Sequence, residues 1–166
     1  MHEIYTLVDS PVGDLLLGGA AGSPALRRLW FLDGSAAGVA DPSWVRDDDA
    51  FPEARLQLDE YFAGERRGFD IMLDLIGTDW ELRVWSALLS IPYGETRSYG
   101  EIASEICTIR AARAVGMANA RNPVAVVVPC HRVIGASGRL TGYGGGLDRK
   151  RMLLDLEAGR LSLTAS

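Results

Sequence analysis

A chain of 166 residues, 48% hydrophobic and 23% charged with a formal net charge of −5, has ordinary globular composition and the length to bury one large core or two small ones. It holds no apolar run of about 18 residues, so no membrane span is expected. Its two cysteines, Cys107 and Cys130, exclude a disulfide framework and a Cys/His zinc cluster, and the start Met1-His2-Glu3 lacks the basic and apolar stretches of a secretory signal, so a reducing cytoplasm is the expected location.

Residues 3–8 and 14–18 read as short strands around the turn Ser10-Pro11-Val12-Gly13, and residues 26–32 as a third, together a small antiparallel sheet. Residues 41–49 read as an acidic loop. Phe51, Ala54, Leu58, Tyr61 and Phe62 recur at helical spacing, which predicts a helix over 51–62 that covers the sheet. Gly64 and Gly68 bracket its end, and residues 69–75 read as an extended connection. Thr78 or Asp79 can cap the next helix, with Leu82, Val84, Trp85, Leu88 and Leu89 as its buried side. Ser98 can cap a helix over 99–106, and a second helix over about 110–119 follows closely. That spacing suits a helix-turn-helix and equally a plain helical bundle. The run Val124-Ala125-Val126-Val127-Val128 reads as a fully buried strand, and Glu157 falls near the end of an amphipathic helix, where an exposed glutamate would be unremarkable. The expected organisation is α+β, with one unit over 1–76, a second over 77–160 and a loose tail at 161–166.

The charge is unevenly placed. Residues 1–95 carry 7 basic and 17 acidic side chains (net −10), residues 96–151 carry 9 and 3 (net +6), and residues 152–166 carry 1 and 2 (net −1). Phosphate contacts need local positive charge, so the middle segment is the part suited to nucleic acid; chance clustering on a solvated face is the plainer alternative.

Directly after the valine run stands Pro129-Cys130-His131-Arg132-Val133. A free thiol titrates near about 8.5 and is mostly protonated at neutral pH unless a base or cation helps it. His131 could be that base, but neighbours in an extended segment point to opposite sides, so it would act on Cys130 through a water or a turn. A buried Cys beside a satisfied His is the structural alternative.

The surrounding pattern decides between them. Asn122-Pro123, the valine run, Pro-Cys-His-Arg-Val-Ile-Gly and then Gly142-Tyr143-Gly144-Gly145-Gly146-Leu147 resemble the active-site region of the O6-alkylguanine-DNA alkyltransferases. Residues 77–85 are similar to the entry of that family's C-terminal domain, residues 91–103 to the segment leading into its helix-turn-helix, and Ala111-Ala112-Arg113-Ala114-Val115-Gly116 to its recognition helix.

The resemblance implies a small ribonuclease H-like N-terminal unit, then a mostly helical unit carrying the helix-turn-helix and the active-site cysteine. It implies DNA repair by irreversible, stoichiometric transfer of an alkyl group from O6-alkylguanine, and from O4-alkylthymine, in double-stranded DNA to Cys130. His131 would take the thiol proton through a water, Glu157 would orient His131, and Tyr99 would push on a phosphate and protonate the departing guanine. Asn122 would hinge the recognition helix to the active site. Ala112, Ala114 and Gly116 would lie smoothly in the minor groove while Arg113 enters the base stack. The carbonyls of Cys130 and Val133, the amide of Gly144 and the ring of Tyr143 would hold the base, with Arg132 structural. No metal and no cofactor is expected, and the protein is expected to be a monomer, with cooperative assembly on DNA left open. The family's usual Gly-x-Pro-x between the two helices is replaced here by Cys107-Thr108-Ile109-Arg110, which bears on the turn's geometry. A Cys-His hydrolase, which would turn over, and a binding-only relative, which would lack the cysteine, are the rival readings.

Overall fold

The computed structural model describes residues 2–32 and 40–162. β1 (Glu3–Val8) and β2 (Leu15–Ala20) form an antiparallel hairpin, and β3 (Arg28–Phe31) adds antiparallel to β2. The hairpin turn closes through the Gly13 amide on the Ser10 carbonyl, with Gly13 at φ 110°, a conformation that favours glycine. Residues 41–49 are not all loop. Val45–Arg46 forms a fourth strand, β4, parallel to β1 at the edge, so the sheet has the order β3-β2-β1-β4 and is mixed. Both β4 residues are exposed and paired by backbone alone, which leaves no hydrophobic alternation to read.

α1 (Pro52–Phe62) lays Ala54, Leu58, Tyr61 and Phe62 on the core, with proline at its start and Phe51 before it in a left-handed conformation. The segment after α1 is fastened at both ends. Gln57 exchanges two hydrogen bonds with the Asp70 backbone, and Leu26 pairs with Met72 and Asp74. α2 (Asp79–Leu89) starts with a capping box in which Thr78 and Glu81 satisfy each other's backbone amides. It buries Val84, Trp85, Ala87 and Leu88. The expected Leu82 and Leu89 are instead 36% and 46% exposed. Leu82 lies about 200° around the helix from Val84, and Leu89 sits at the open end.

β5 (Arg97–Ser98) leads into α3 (Tyr99–Ile106), again capped reciprocally by Ser98 and Glu101. The turn that follows needs no glycine: Thr108 is extended, Ile109–Ala111 forms a 3-10 turn, and none of these residues has a positive φ. α4 (Ala112–Ala120) then packs on α3 and α2, its start two residues later than expected because the 3-10 turn precedes it.

Residues 124–128 are buried valines and one alanine, but they form turns and not a strand. Only Val124 pairs, as a single parallel bridge with Leu29 of β3. β6 (Val133–Ile134) pairs parallel with β5, and α5 (Leu147–Glu157) closes the chain's described part. One continuous hydrophobic core runs from the sheet through α1, α2, α4, the valine turns and α5. Of the tail expected over 161–166, residues 163–166 lie outside the described residues. No described helix is long and apolar enough to cross a membrane.

Candidate active site

The valine turns explain where Cys130 sits. The Asn122 side chain bridges them, donating from Nδ2 to the Val128 carbonyl at 2.7 Å and accepting from the Val124 amide at 3.0 Å. Inside this clamp Val126 is held at φ 70°, a conformation that β-branched residues avoid and that persists only where the surroundings fix it. The Cys130 amide donates to the same Val128 carbonyl at 2.8 Å, and Cys130–Arg132 then form one 3-10 turn. Because the backbone turns here, Cys130, His131 and Arg132 project in different directions from one rigid point.

Under the turn, Glu157 of α5 gathers the polar side chains. Its Oε2 accepts from Tyr61 Oη at 2.6 Å, from His131 Nε2 at 2.7 Å and from Arg132 Nη2 at 2.9 Å, and its Oε1 accepts from Arg132 Nε at 2.7 Å. Arg132 also donates to the Ile91 carbonyl at 2.7 Å. Burial alone would raise the Glu157 pKa, but hydrogen bonds from His131 and Arg132 and the charge of Arg132 outweigh it and hold the carboxyl well below the usual carboxylate range. Burial draws His131 below its ordinary value despite Glu157, so the imidazole is neutral. With the Nε2 proton committed to the carboxylate, Nδ1 is left as a buried acceptor without a partner among the described residues. Glu157, which could have been a surface residue, is 6% exposed.

Burial pushes the Cys130 thiol up, while the Asn122 side chain and the charge of Lys150 pull it down. Lys150 is the residue the sequence reading missed. It is fully buried, and its Nζ donates to the carbonyls of Val133 at 2.5 Å and Thr141 at 3.2 Å. Burial lowers its pKa, and the nearby Cys130 charge is what raises it again. A signal was present: of 17 basic residues in the chain, 16 are arginine and this is the single lysine.

Cys130 lies on the wall of a cavity of about 460 Å³ shared with Tyr99, Gly116, Asn119, Asn122, Tyr143 and Gly144. Tyr99 Oη is within 2.6 Å of Thr141 Oγ1, which ties α3 to the glycine-rich loop. The Tyr143 hydroxyl is buried without a partner among the described residues, and burial raises its pKa well above the ordinary value. Val133 stands apart from this wall, its carbonyl engaged by Lys150. Trp30 and Phe31 of β3 also line the cavity, so the N-terminal sheet helps enclose it, which the sequence reading did not foresee. On α4, Arg113 and Ala114 are exposed, Ala112 and Gly116 are partly exposed, and a Cβ on Gly116 would meet Tyr99 at 3.7 Å, ordinary contact. Cys107 is exposed on the inter-helix turn. Among the described residues no group of three or more His, Cys, Asp or Glu side chains could hold a metal ion.

The chain is similar to known proteins in sequence and in fold. Residues 79–159 match the family model for the 6-O-methylguanine DNA methyltransferase DNA binding domain, and residues 4–75 match that for the 6-O-methylguanine DNA methyltransferase ribonuclease-like domain. The methylated-DNA–protein-cysteine methyltransferase of Mycobacterium tuberculosis strain H37Rv is 57% identical over 159 residues, spanning 94% of this chain and 93% of the relative. The crystal structure of Mycobacterium tuberculosis OGT in complex with DNA superposes with a TM-score of 0.87 at 56% identity, covering 95% of this chain and 94% of that one. O6-methylguanine-DNA methyltransferase from Pyrococcus kodakaraensis, 23% identical, shares the fold with a TM-score of 0.65 over 93% of this chain and 98% of that one.

Proposed function

The chain belongs to the 6-O-methylguanine DNA methyltransferase family of DNA-repair proteins, and from that membership we propose that Cys130 is its acceptor thiol, taking an alkyl group from O6-alkylguanine, and from O4-alkylthymine, in double-stranded DNA. The observation that carries the proposal is the placement of Cys130: a single thiol on the wall of a base-sized cavity, on a turn fixed by Asn122 and backed by the His131–Glu157 pair.

An alkyl group on O6 lies inside the base stack, so the nucleotide must first leave the duplex, at an unstacking cost of about a few kcal/mol. Residues 77–160 supply that step. α3 and α4 approach the minor groove, the small side chains of Ala112, Ala114 and Gly116 allow a close fit, and Arg113 fills the gap in the stack. The net charge of +6 over residues 96–151 favours phosphate contact, while the acidic remainder restrains unspecific binding. Residues 1–76 act as the cover that closes the cavity from the side of Trp30.

In the transfer the Cys130 sulfur bonds to the alkyl carbon as the bond from that carbon to O6 breaks. The thiol proton passes through a water to the unpartnered Nδ1 of His131, whose other nitrogen is held by Glu157, and the departing guanine receives a proton from Tyr99. The product is a thioether, which water does not cleave, so each molecule acts once. No metal or organic cofactor enters this scheme, and the protein acts as a monomer in the cytoplasm. Intact mass after incubation with DNA containing O6-methylguanine tests it. One added methyl per molecule, located on Cys130, is the expected result; product exceeding protein would instead indicate a hydrolase.

A further inference from the structure

The N-terminal unit sends a hydroxyl into the polar cluster beneath Cys130. Tyr61, in the last turn of α1, is fully buried, and its ring packs against Phe62, Phe69 and Tyr93 with centroids 5.3, 5.2 and 6.3 Å away. A phenylalanine would fill that space. The Tyr61 hydroxyl instead donates to Glu157, 96 residues further on, and meets Oε2 at 2.6 Å. That is the same oxygen that holds His131 Nε2 at 2.7 Å. The carboxylate is fastened without it: Arg132 donates to both oxygens, at 2.7 and 2.9 Å, and the Gly94 amide donates to Oε1 at 3.3 Å. Tyr61 is therefore not needed to anchor Glu157. What it alters is the oxygen that faces the imidazole.

Hydrogen bonds to one oxygen share its negative charge. A phenol on Oε2 lessens the charge left to His131, and with it the tendency of the imidazole to take a second proton. That proton would go to Nδ1, the nitrogen that must stay empty to accept from a thiol. Burial and the charge of Glu157 raise the Tyr61 pKa well above its ordinary value, so the hydroxyl remains a donor. The other groups around His131 act in both directions. Glu157 favours the imidazolium, whereas burial and the charges of Arg132 and Lys150 oppose it. Cys130 adjoins it on the same turn, and Tyr93 lies against Arg132, its ring centroid 5.8 Å from the guanidinium carbon. We propose that Tyr61 is a positioning residue for the transfer reaction, which tempers the Glu157 carboxylate so that His131 stays neutral with Nδ1 open. This rests on the reading that His131 takes the thiol proton. It gives residues 1–76 a part in the chemistry besides closing the cavity.

The chain has two histidines, His131 and the exposed His2, so the titration of the buried imidazole can be followed by NMR. In Tyr61→Phe, which keeps the ring and removes the donor, the His131 midpoint should rise by about one pH unit, part of the worth of a hydrogen bond to a charged group. The acid limb of single-turnover transfer from duplex O6-methylguanine, at saturating protein, should move up with it. Tyr93→Phe, which removes a neighbouring phenol, should leave both where they are. Site-specific 3-fluorotyrosine at position 61, a stronger donor of the same shape, should move the midpoint and the limb the opposite way, a readout that does not depend on the phenylalanine variant folding. An unchanged His131 midpoint in Tyr61→Phe, with transfer slowed by one factor at every pH, would make Tyr61 structural and overturn the inference, as would an equal rise in Tyr93→Phe. No transfer by the native protein would instead remove the underlying reading, and the inference with it.

Discussion

The polar cluster beneath Cys130 and the outer face of α4 are built on opposite terms. Below the thiol, one carboxylate joins Tyr61 of α1, His131 and Arg132 of the active-site turn and, through Arg132, the backbone after α2, nearly all of it withdrawn from water. On α4, Arg113 and Ala114 are exposed to solvent, on the face turned away from the core. The first region gains its geometry from burial, where each group has only one satisfactory arrangement. The second gains its use from the absence of commitments, since a surface meant to approach a groove must leave room for it. Damage to the first should therefore spread through the fold, and damage to the second should stay local.

The sharpest separation comes from Cys130→Ala. Transfer should vanish while binding to lesion-bearing DNA survives, because the sulfur is not needed for α3 and α4 to engage a duplex; parallel loss of both, measured by single-turnover assay and fluorescence anisotropy, would break the comparison. Next in size is Glu157→Gln. It strips the counter-charge from a buried Arg132 and should cost about 3–5 kcal/mol, visible as a lower denaturation midpoint. A loss comparable to that of an exposed surface pair would mean the cluster is less enclosed than its geometry indicates.

Acid should find the same cluster. The His131 pKa is depressed in the fold, so below the ordinary histidine range of about 6.5 the unfolded chain binds a proton that the native state refuses, and stability falls as pH drops through that window. Glu157 is also depressed, so its contribution is present above the ordinary carboxylate range of about 4.3 and is lost below it. Urea midpoints should fall in two stages between pH 7 and 3. A flat profile would contradict both assignments. The smallest effect on the fold belongs to Arg113→Ala: stability should change by less than about 0.5 kcal/mol, and reaction with free O6-benzylguanine should be unaltered, while repair in duplex DNA slows. Equal slowing on the free base and the duplex would place Arg113 in the cavity and not in the base stack.

The same contrast governs what the sequence disclosed. Ser98 marked the start of α3, and Thr78 or Asp79 that of α2, because capping is a local matter of three or four residues; the structure selects Thr78 and adds Glu81 and Glu101 as the reciprocal partners. The valine run misled. Burial was read correctly, but continuous apolarity does not distinguish a strand from a buried turn, and nothing local announces that Asn122 will hold Val126 in a left-handed conformation. Lys150 was passed over, and Glu157 was named through the resemblance alone, for a related reason. Each is buried by partners 9 to 96 residues away in the chain, and a charged residue on an amphipathic helix looks the same whether its face meets water or a neighbouring turn. The cysteine was legible through its neighbours as a pattern, and the cavity around it, half enclosed by β3, was not.

The single lysine has one more consequence. Arginine carries every other basic side chain, and the one primary amine on a side chain is sealed between the carbonyls of Val133 and Thr141. Reagents that acylate lysine, and any machinery that marks proteins through an isopeptide bond, would find no side-chain target on the folded molecule. Opening of α5 would present one. Labelling at Lys150 is thus a built-in report on whether a given molecule is still intact, readable by mass spectrometry without altering a residue.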